Sequence, residues 1–450
     1  MILVGHLAGH QARHDPVPAI TSSGHGVRIA HLDDLLHEAT QRPEPPGAKQ
    51  QRSPIGWTPA SRRRIVAERQ VAAEDAQKVQ ELLADAASQL GHNSAAVRLA
   101  AVHLLARFAD EGPAHRQACI DVLCAAVRAA PAPRPDEDDQ EKSGEQPPAW
   151  HADRACKHAI LSIITARLRA DSAISWRGHN FDFSGLVFDS GEPPAEAADD
   201  VASFADAGLT AREVSFAGAQ FTGGEVSFAG TQFTGGEVSF AGTQFTGAKV
   251  NFAGTQFTGA KVSFLGAWFA GGEVSFDGAE FSHGKVSFCS RFTGGAVGFL
   301  DAEFAGGAVG FLDAEFTGGE VGFVGAEFKG SEVSFVGAEF NGATVSFVGS
   351  KFTQGKISFV GAEFTSGQVR FIWTEFSGSE VRFSGAKFDG GRVDFTRAKF
   401  DAGEVDFTSV NFSRGLVDLS GAVTWSAPPS FDDWTASPAS LQLPVRYQPA

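Results

Sequence analysis

Residues 214–412 repeat one pattern of apolar and polar positions every twelve residues, seventeen times over. The copies V-S-F-A-G-A-Q-F-T-G-G-E (214–225) and V-S-F-A-G-T-Q-F-T-G-G-E (226–237) show it most clearly. Phenylalanine recurs at alternating gaps of five and seven, as in Phe216, Phe221, Phe228, Phe233 and Phe240, and one residue is missing between Phe288 and Phe292. A helix needs apolar residues three and four apart, so the pattern excludes helix here. Val214 and Phe216, like Ala219 and Phe221, lie two apart and point to one side of a short extended segment. Glycine pairs such as Gly223 and Gly224 fall between these segments, at corners that need positive φ or close backbone approach. The expected element is a very short strand ended by a tight bend.

A fixed period of this kind marks a solenoid, whose units bury their apolar residues only against neighbouring units. One unit is too short to enclose two phenyl rings. Two units, or 24 residues, make a four-sided coil with alternating short and long sides. Coils then stack by parallel pairing about 4.8 Å apart, which predicts roughly 8.5 coils and a length on the order of 40 Å. The interior is filled by a ladder of 34 rings out of the chain's 40 Phe. Such a ladder reads as a structural core rather than a ligand platform.

The segments A-Q-F-T-G (219–223), A-E-F-T-G (314–318) and A-K-F-D-G (386–390) resemble pentapeptide repeats, in which a small residue stands two before a central Leu or Phe. The segment V-S-F-A-G (214–218) is similar, with valine in the small position. The resemblance covers about 240 residues. It implies a mainly β fold, a right-handed parallel quadrilateral β-helix. The two-residue spacer at Gly224 and Glu225 departs from a strict five-residue phase and favours an elongated cross-section.

The rest of the chain divides by composition. Residues 1–58 mix Gly, Pro, His and charge without a period and are expected to be disordered or weakly structured. An α-helical domain is expected over 59–175. Its first helix (62–90) carries the stripe Val79, Leu82, Leu83, Ala86, Ala87 and Leu90. Ser94 is placed to cap a second helix bearing Val97, Leu99, Val102, Leu104, Leu105 and Phe108. A third (114–130) buries Ile120, Val122, Leu123, Ala126 and Val127. An acidic, Pro-rich loop follows at 132–150, then a helix (151–169) with Ile160, Leu161, Ile163, Ile164 and Leu168, positioned to cover the open end of the solenoid. The segments V-R-L-A-A (97–101) and L-L-A-R (104–107) resemble the helical segment preceding the repeats in actinobacterial pentapeptide-repeat proteins. The β-helix itself is expected over 176–423, with a polar insertion at 191–201. Residues 424–450 lose the period, and Trp425, Phe431 and Trp434 are expected to fold over the last coil as a cap.

Charge narrows the choice of partner. The chain carries a formal net charge of -16. Residues 213–418 hold 23 acidic and 14 basic side chains, which argues against direct nucleic-acid binding. Glu303, Glu315, Glu327 and Glu339 take the same outward place in four successive units and stack on every second one. For the pentapeptide-repeat family, acidic β-helices of this sort imply imitation of duplex DNA and binding to a type II topoisomerase. Elsewhere the same place holds Gln220, Gln232, Trp268, Lys351, Lys387 and Lys399, a mixed surface that also serves solubility. Trp268, Arg291 and Trp373 break the uniformity, and the two tryptophans are candidate anchors for a protein partner.

Catalytic signals are sparse. Phosphate-loop, dinucleotide-loop and H-E-x-x-H patterns do not occur, and no cofactor is implied. His6, His10 and His14 would share a helical face and could bind a divalent metal, although the interspersed Gly5 and Gly9 favour chance spacing. Cys119, Cys124, Cys156 and Cys289 lack zinc-knuckle spacing and fit a reducing compartment. The apolar run at the N-terminus is too short for a membrane span. The sequence thus reads as a cytoplasmic, non-enzymatic scaffold offering a rigid face to a protein partner. A DNA mimic is the alternative, and an enzyme with a site assembled between coils a further one. A solenoid end offers a surface for a homodimer.

Overall fold

The computed structural model describes residues 59–129, 148–188, 202–209, 213–433 and 438–445. Four helices come first: α1 (Pro59–Leu90), α2 (Ala95–Glu111), α3 (Arg116–Arg128) and α4 (Pro148–Leu168). The chain divides into two units. Of Met1–Val71 the described part is the opening of α1, and Ala72–Ala450 contains everything below. The triad His6, His10 and His14, Trp434, and the 191–201 insertion lie outside the described residues.

Helical period decides what α2, α3 and α4 bury. Val102, Leu105 and Ala109 of α2 pack with Ile120, Leu123 and Val127 of α3 and with Ile160, Ile164 and Leu168 of α4. Two expectations are corrected. Leu104 is 43 % exposed, because it falls outside the stripe set by Ala101, Val102 and Leu105. Ser94 stands at the N-cap of α2, but its hydroxyl caps nothing, and its backbone N–H donates to Nδ1 of His92 instead. Helix α4 also begins three residues earlier than its apolar stripe suggested, at Pro148, a position where proline's missing N–H costs nothing.

Helices α3 and α4 close the first coil. The side-chain amide of Gln117 donates to the carbonyl of Asn180 (3.0 Å) and accepts from its N–H (2.9 Å). It thereby replaces the missing neighbour strand just ahead of Phe181–Asp182. Arg128 of α3 pairs with Asp182 at 2.7 Å. At the foot of α4, Asp110 accepts bonds from Arg167 Nη2 (2.6 Å) and from the indole of fully buried Trp176 (2.8 Å). Burial pushes the Asp110 carboxyl up, but the Arg167 and Trp176 bonds outweigh it and hold it below its ordinary value.

Beyond this cap the strands among the described residues form two parallel sheets, one of 16 and one of 19 strands. Partners lie 24 residues apart, as in Val214↔Val238 and Val226↔Val250, so one coil is two sequence units. Glu213–Ser215 belongs to the first sheet, Gln220–Phe221 and Glu225–Ser227 to the second, and Gln232–Thr234 and Glu237–Ser239 to the first again. Each sheet therefore takes the stretch Q-F-T-G-G-E-V-S, and F-A-G-T turns carry the chain from one sheet to the other. Later in the chain that stretch becomes one eight-residue strand, as in Glu327–Ser334 and Lys351–Ser358. The solenoid has about ten turns.

Four columns of rings fill the interior. Phe216 stacks on Phe240 at 4.9 Å and 3°, and Phe228 on Phe252 at 4.7 Å and 6°. These two columns meet edge to face, with Phe216 and Phe228 at 5.3 Å and 87°. Phe221 on Phe245 and Phe233 on Phe257 begin the flanking columns. Of the 34 repeat phenylalanines all but Phe412 are buried. Turn hydroxyls stitch coils together: Thr231, Thr243 and Thr255 donate to the carbonyls of Phe204, Phe216 and Phe228.

Two irregularities are absorbed outside the strands. The missing residue falls in the turn at 288–292, where partners lie 23 apart (Trp268↔Arg291), yet Phe288 still stacks on Phe264 at 4.8 Å and Phe292 on Phe269 at 4.7 Å. At the far end, Trp425 and Phe431, expected to fold over the last coil as a cap, do lie on it and also continue its register. Trp425 pairs in register with Phe400, Phe431 stacks on Phe407 at 5.4 Å, and Leu441 pairs with Val417. These side chains extend the ladder: Phe431 and Leu441 keep the 24-residue spacing and Trp425 departs from it by one residue, while the letters between them lose the repeat.

Candidate interaction surface

Since the core takes the Val that opens each unit and nearly all of its Phe rings, chemistry varies mainly at outward positions. Three such positions matter: the residue before the second Phe, the glycine of the F-A-G-T turn, and the residue just after the first Phe.

The four glutamates occupy the first position and stack on alternate units. Glu303 lies beside Glu327 in one sheet and Glu315 beside Glu339 in the other, so they form two pairs on two faces. Their surroundings differ. Lys329 reaches Glu303 at 3.3 Å and also pairs with Glu327, while Lys351 reaches Glu327 at 2.9 Å. Hydrogen bonds from Lys329 and Lys351 hold the Glu327 carboxyl below its ordinary value. On the other face the column runs Arg291, Glu315, Glu339, Glu363, Lys387, with Lys387 bonded to Glu363 at 2.6 Å. Each column thus holds a run of three carboxylates: Glu280, Glu303 and Glu327 before Lys351 on one face, and Glu315, Glu339 and Glu363 between Arg291 and Lys387 on the other.

The tryptophans stand apart from each other. Trp268 shares the Arg291 column, is 38 % exposed, and donates its indole N–H to Thr293 Oγ1 at 2.7 Å. Trp373 takes a turn-glycine slot at φ 60°, a left-handed conformation that costs an L-residue roughly 1 kcal/mol. Its ring is 51 % exposed and lies under the Arg397 guanidinium at 4.5 Å, one coil on. Arg397 is itself left-handed at φ 61° and was not singled out by the sequence.

The third position carries a feature that the sequence reading missed. Ala217, Ala229, Ala241 and Ala253 give way at that place to Leu265, Leu300, Leu312 and Val324, and this change was the available signal. The four larger side chains are 58, 46, 45 and 38 % exposed. Backbone bonds order one edge vertically: Gly278 donates to Leu300, Asp301 to Val324, Gly325 to Val348 and Gly349 to Ile372. A continuous apolar edge results, ending next to Trp373. Beside Leu300 and Val324 lies a depression of about 310 Å³, floored by Gly298 and Gly322, where the repeat's usual serine is absent. Glu273, Asp277 and Glu320 line it.

Among the described residues, no group of three or more His, Cys, Asp or Glu side chains could hold a metal ion, and no helix is long and apolar enough to cross a membrane. No family model, curated protein or solved structure matches the chain.

Proposed function

We propose that the protein is a non-enzymatic, cytoplasmic scaffold whose apolar edge docks an extended segment of a partner protein. The observation that carries this reading is the column Leu300, Val324, Val348 and Ile372, held on a frame whose every coil is hydrogen-bonded to the next. Leu300 and Val324 are exposed and Val348 and Ile372 half-buried, and apolar side chains on so rigid a support lose little conformational freedom when covered. The neighbouring depression lined by Glu273, Asp277 and Glu320 suits a basic residue among the partner's apolar ones. We read the frame itself as a pentapeptide-repeat-like solenoid flattened by the two-residue spacers. Imitation of DNA draws less support, because each run of carboxylates is only three long: Lys351 and Lys387 close the two runs, and Lys329 ties up Glu303 and Glu327, groups that a topoisomerase would have to accept as phosphates.

Affinity capture with three forms of the full chain tests the choice. Fully burying a Leu or Val contributes about 1.5–3 kcal/mol, and Leu300 and Val324 are already about half buried. Leu300→Asp with Val324→Asp is therefore expected to weaken capture by about 2 kcal/mol, roughly thirtyfold. Glu303→Lys with Glu327→Lys is expected to leave it intact. The opposite pattern, with a topoisomerase lost on charge reversal, overturns the proposal in favour of the acidic reading.

A further inference from the structure

The helical domain contains a cavity of about 390 Å³ that the solenoid surface does not use. Leu90 of α1, Val122 of α3 and Cys156 of α4 give it an apolar lining, and the Cys156 thiol is pushed up by burial, hence uncharged. Three charged side chains line it too: Arg98 of α2, and Asp153 and Lys157 of α4.

Arg98 is the anomaly. Its side chain is 13 % exposed and its Nη1 pairs with Asp153 Oδ1 at 3.1 Å. Its Nε and Nη2 are buried and have no hydrogen-bond acceptor. A guanidinium presents its donors as a fixed fork matched to a carboxylate, and buried donors of a charged group are rarely left unpaired. Here half of the fork is unused in the wall of a cavity. Turning the guanidinium about its last torsions aims those donors inward and carries Nη1 with it, so the Asp153 carboxylate must follow or yield its place to the ligand's.

We propose that this cavity binds a small monocarboxylate with an apolar body, its carboxylate on Arg98 and its hydrocarbon against Leu90, Val122 and Cys156. Size and charge select this class. At roughly 30 Å³ of liquid volume per water, the space holds on the order of a dozen non-hydrogen atoms, the size of a medium-chain fatty acid. The unpaired donors of Arg98 favour an anion, while Asp153 beside Arg98 repels a dianion such as a phosphate monoester. The largely apolar lining rewards hydrocarbon over a second polar group.

Isothermal titration of the full-length protein with octanoate, 1-octanol and octyl phosphate tests it. Octanoate is expected to bind at one site per chain, with the alcohol and the phosphate each at least tenfold weaker. Arg98→Met is expected to weaken octanoate at least tenfold and to bring it level with the alcohol. Ala126→Phe, which fills the cavity from its wall, is expected to abolish binding of both. Far-UV circular dichroism verifies that each variant is folded, and either one alone keeps the test decisive. Absence of octanoate binding, equal binding of octanoate and octanol, or undiminished binding to Arg98→Met overturns the proposal.

Discussion

Phe299→Ala probes the ring ladder where it is most constrained. Phe299 is fully buried, stacks on Phe276 at 4.9 Å and on Phe323 at 4.7 Å, and meets Phe288 edge-on at 5.5 Å. Truncating a buried Phe costs about 3–5 kcal/mol, and two stacks lost with it place this site near the top, at about 5 kcal/mol. Phe412 offers the internal control. It is half-buried and stacks on Phe388 at 5.5 Å, so Phe412→Ala is expected to cost about 1–2 kcal/mol. Urea unfolding followed by far-UV circular dichroism gives the two stabilities. Hydrogen exchange read by mass spectrometry gives their reach. Because solenoid coils stabilise only their neighbours, Phe299→Ala should lower protection in coils on both sides, and Phe412→Ala only at the C-terminal end. Equal losses from the two variants, or a loss below about 1 kcal/mol at Phe299, would refute the view that stacked rings hold the coils together.

Two other expectations concern the helical cap. The Asp110 carboxyl titrates below its ordinary value in the fold, so its bonds to Arg167 and Trp176 stabilise the protein above the ordinary carboxylate range and are lost as pH falls through that depressed value. Asp110→Asn should be less stable than the parent at pH 7, with the gap narrowing as urea midpoints are taken at successively lower pH below about 4; a constant gap contradicts the assignment. Burial pushes the Cys119 thiol up to about 11 and the Cys124 thiol up to about 12. Iodoacetamide at pH 8 should therefore modify half-buried Cys289 in the native protein and reach Cys119 and Cys124 only on unfolding, as peptide mapping would show.

The repeat was legible because its grammar is local. Gaps of five and seven between Phe residues forced short strands, and ring volume forced two units per coil, which the register Val214↔Val238 bears out. The cap was legible from amphipathic helices standing beside an open solenoid end. Other features depend on neighbours in space. Which short strands share a sheet is set by whether Gly-Gly or F-A-G-T makes the sharper corner, and glycine occurs in both. Trp425 and Phe431 looked aperiodic because the residues around them no longer follow the repeat, although Phe431 keeps the 24-residue spacing to Phe407 and Trp425 departs by one residue from that to Phe400. At the interaction surface, Trp268 and Trp373 stood out as foreign letters in a monotonous text. Leu300 and Val324 did not, since an apolar residue inside a β repeat reads as core until the turn geometry turns it outward.

That each coil spends two units has a consequence for how such a chain can change. Adding or removing 24 residues leaves every downstream side chain on its own sheet and alters only the length. A change of twelve residues preserves the same buried rungs but transfers everything after it to the opposite sheet: Glu327 and Lys351 would move to where Glu339 and Glu363 now stand. The interior is blind to whether the number of units is odd or even, while the exterior is inverted by it. Duplication within this gene can therefore swap the faces of half the molecule in one step, at almost no cost in stability, and the surface is free to be reassorted beneath a core that registers no change.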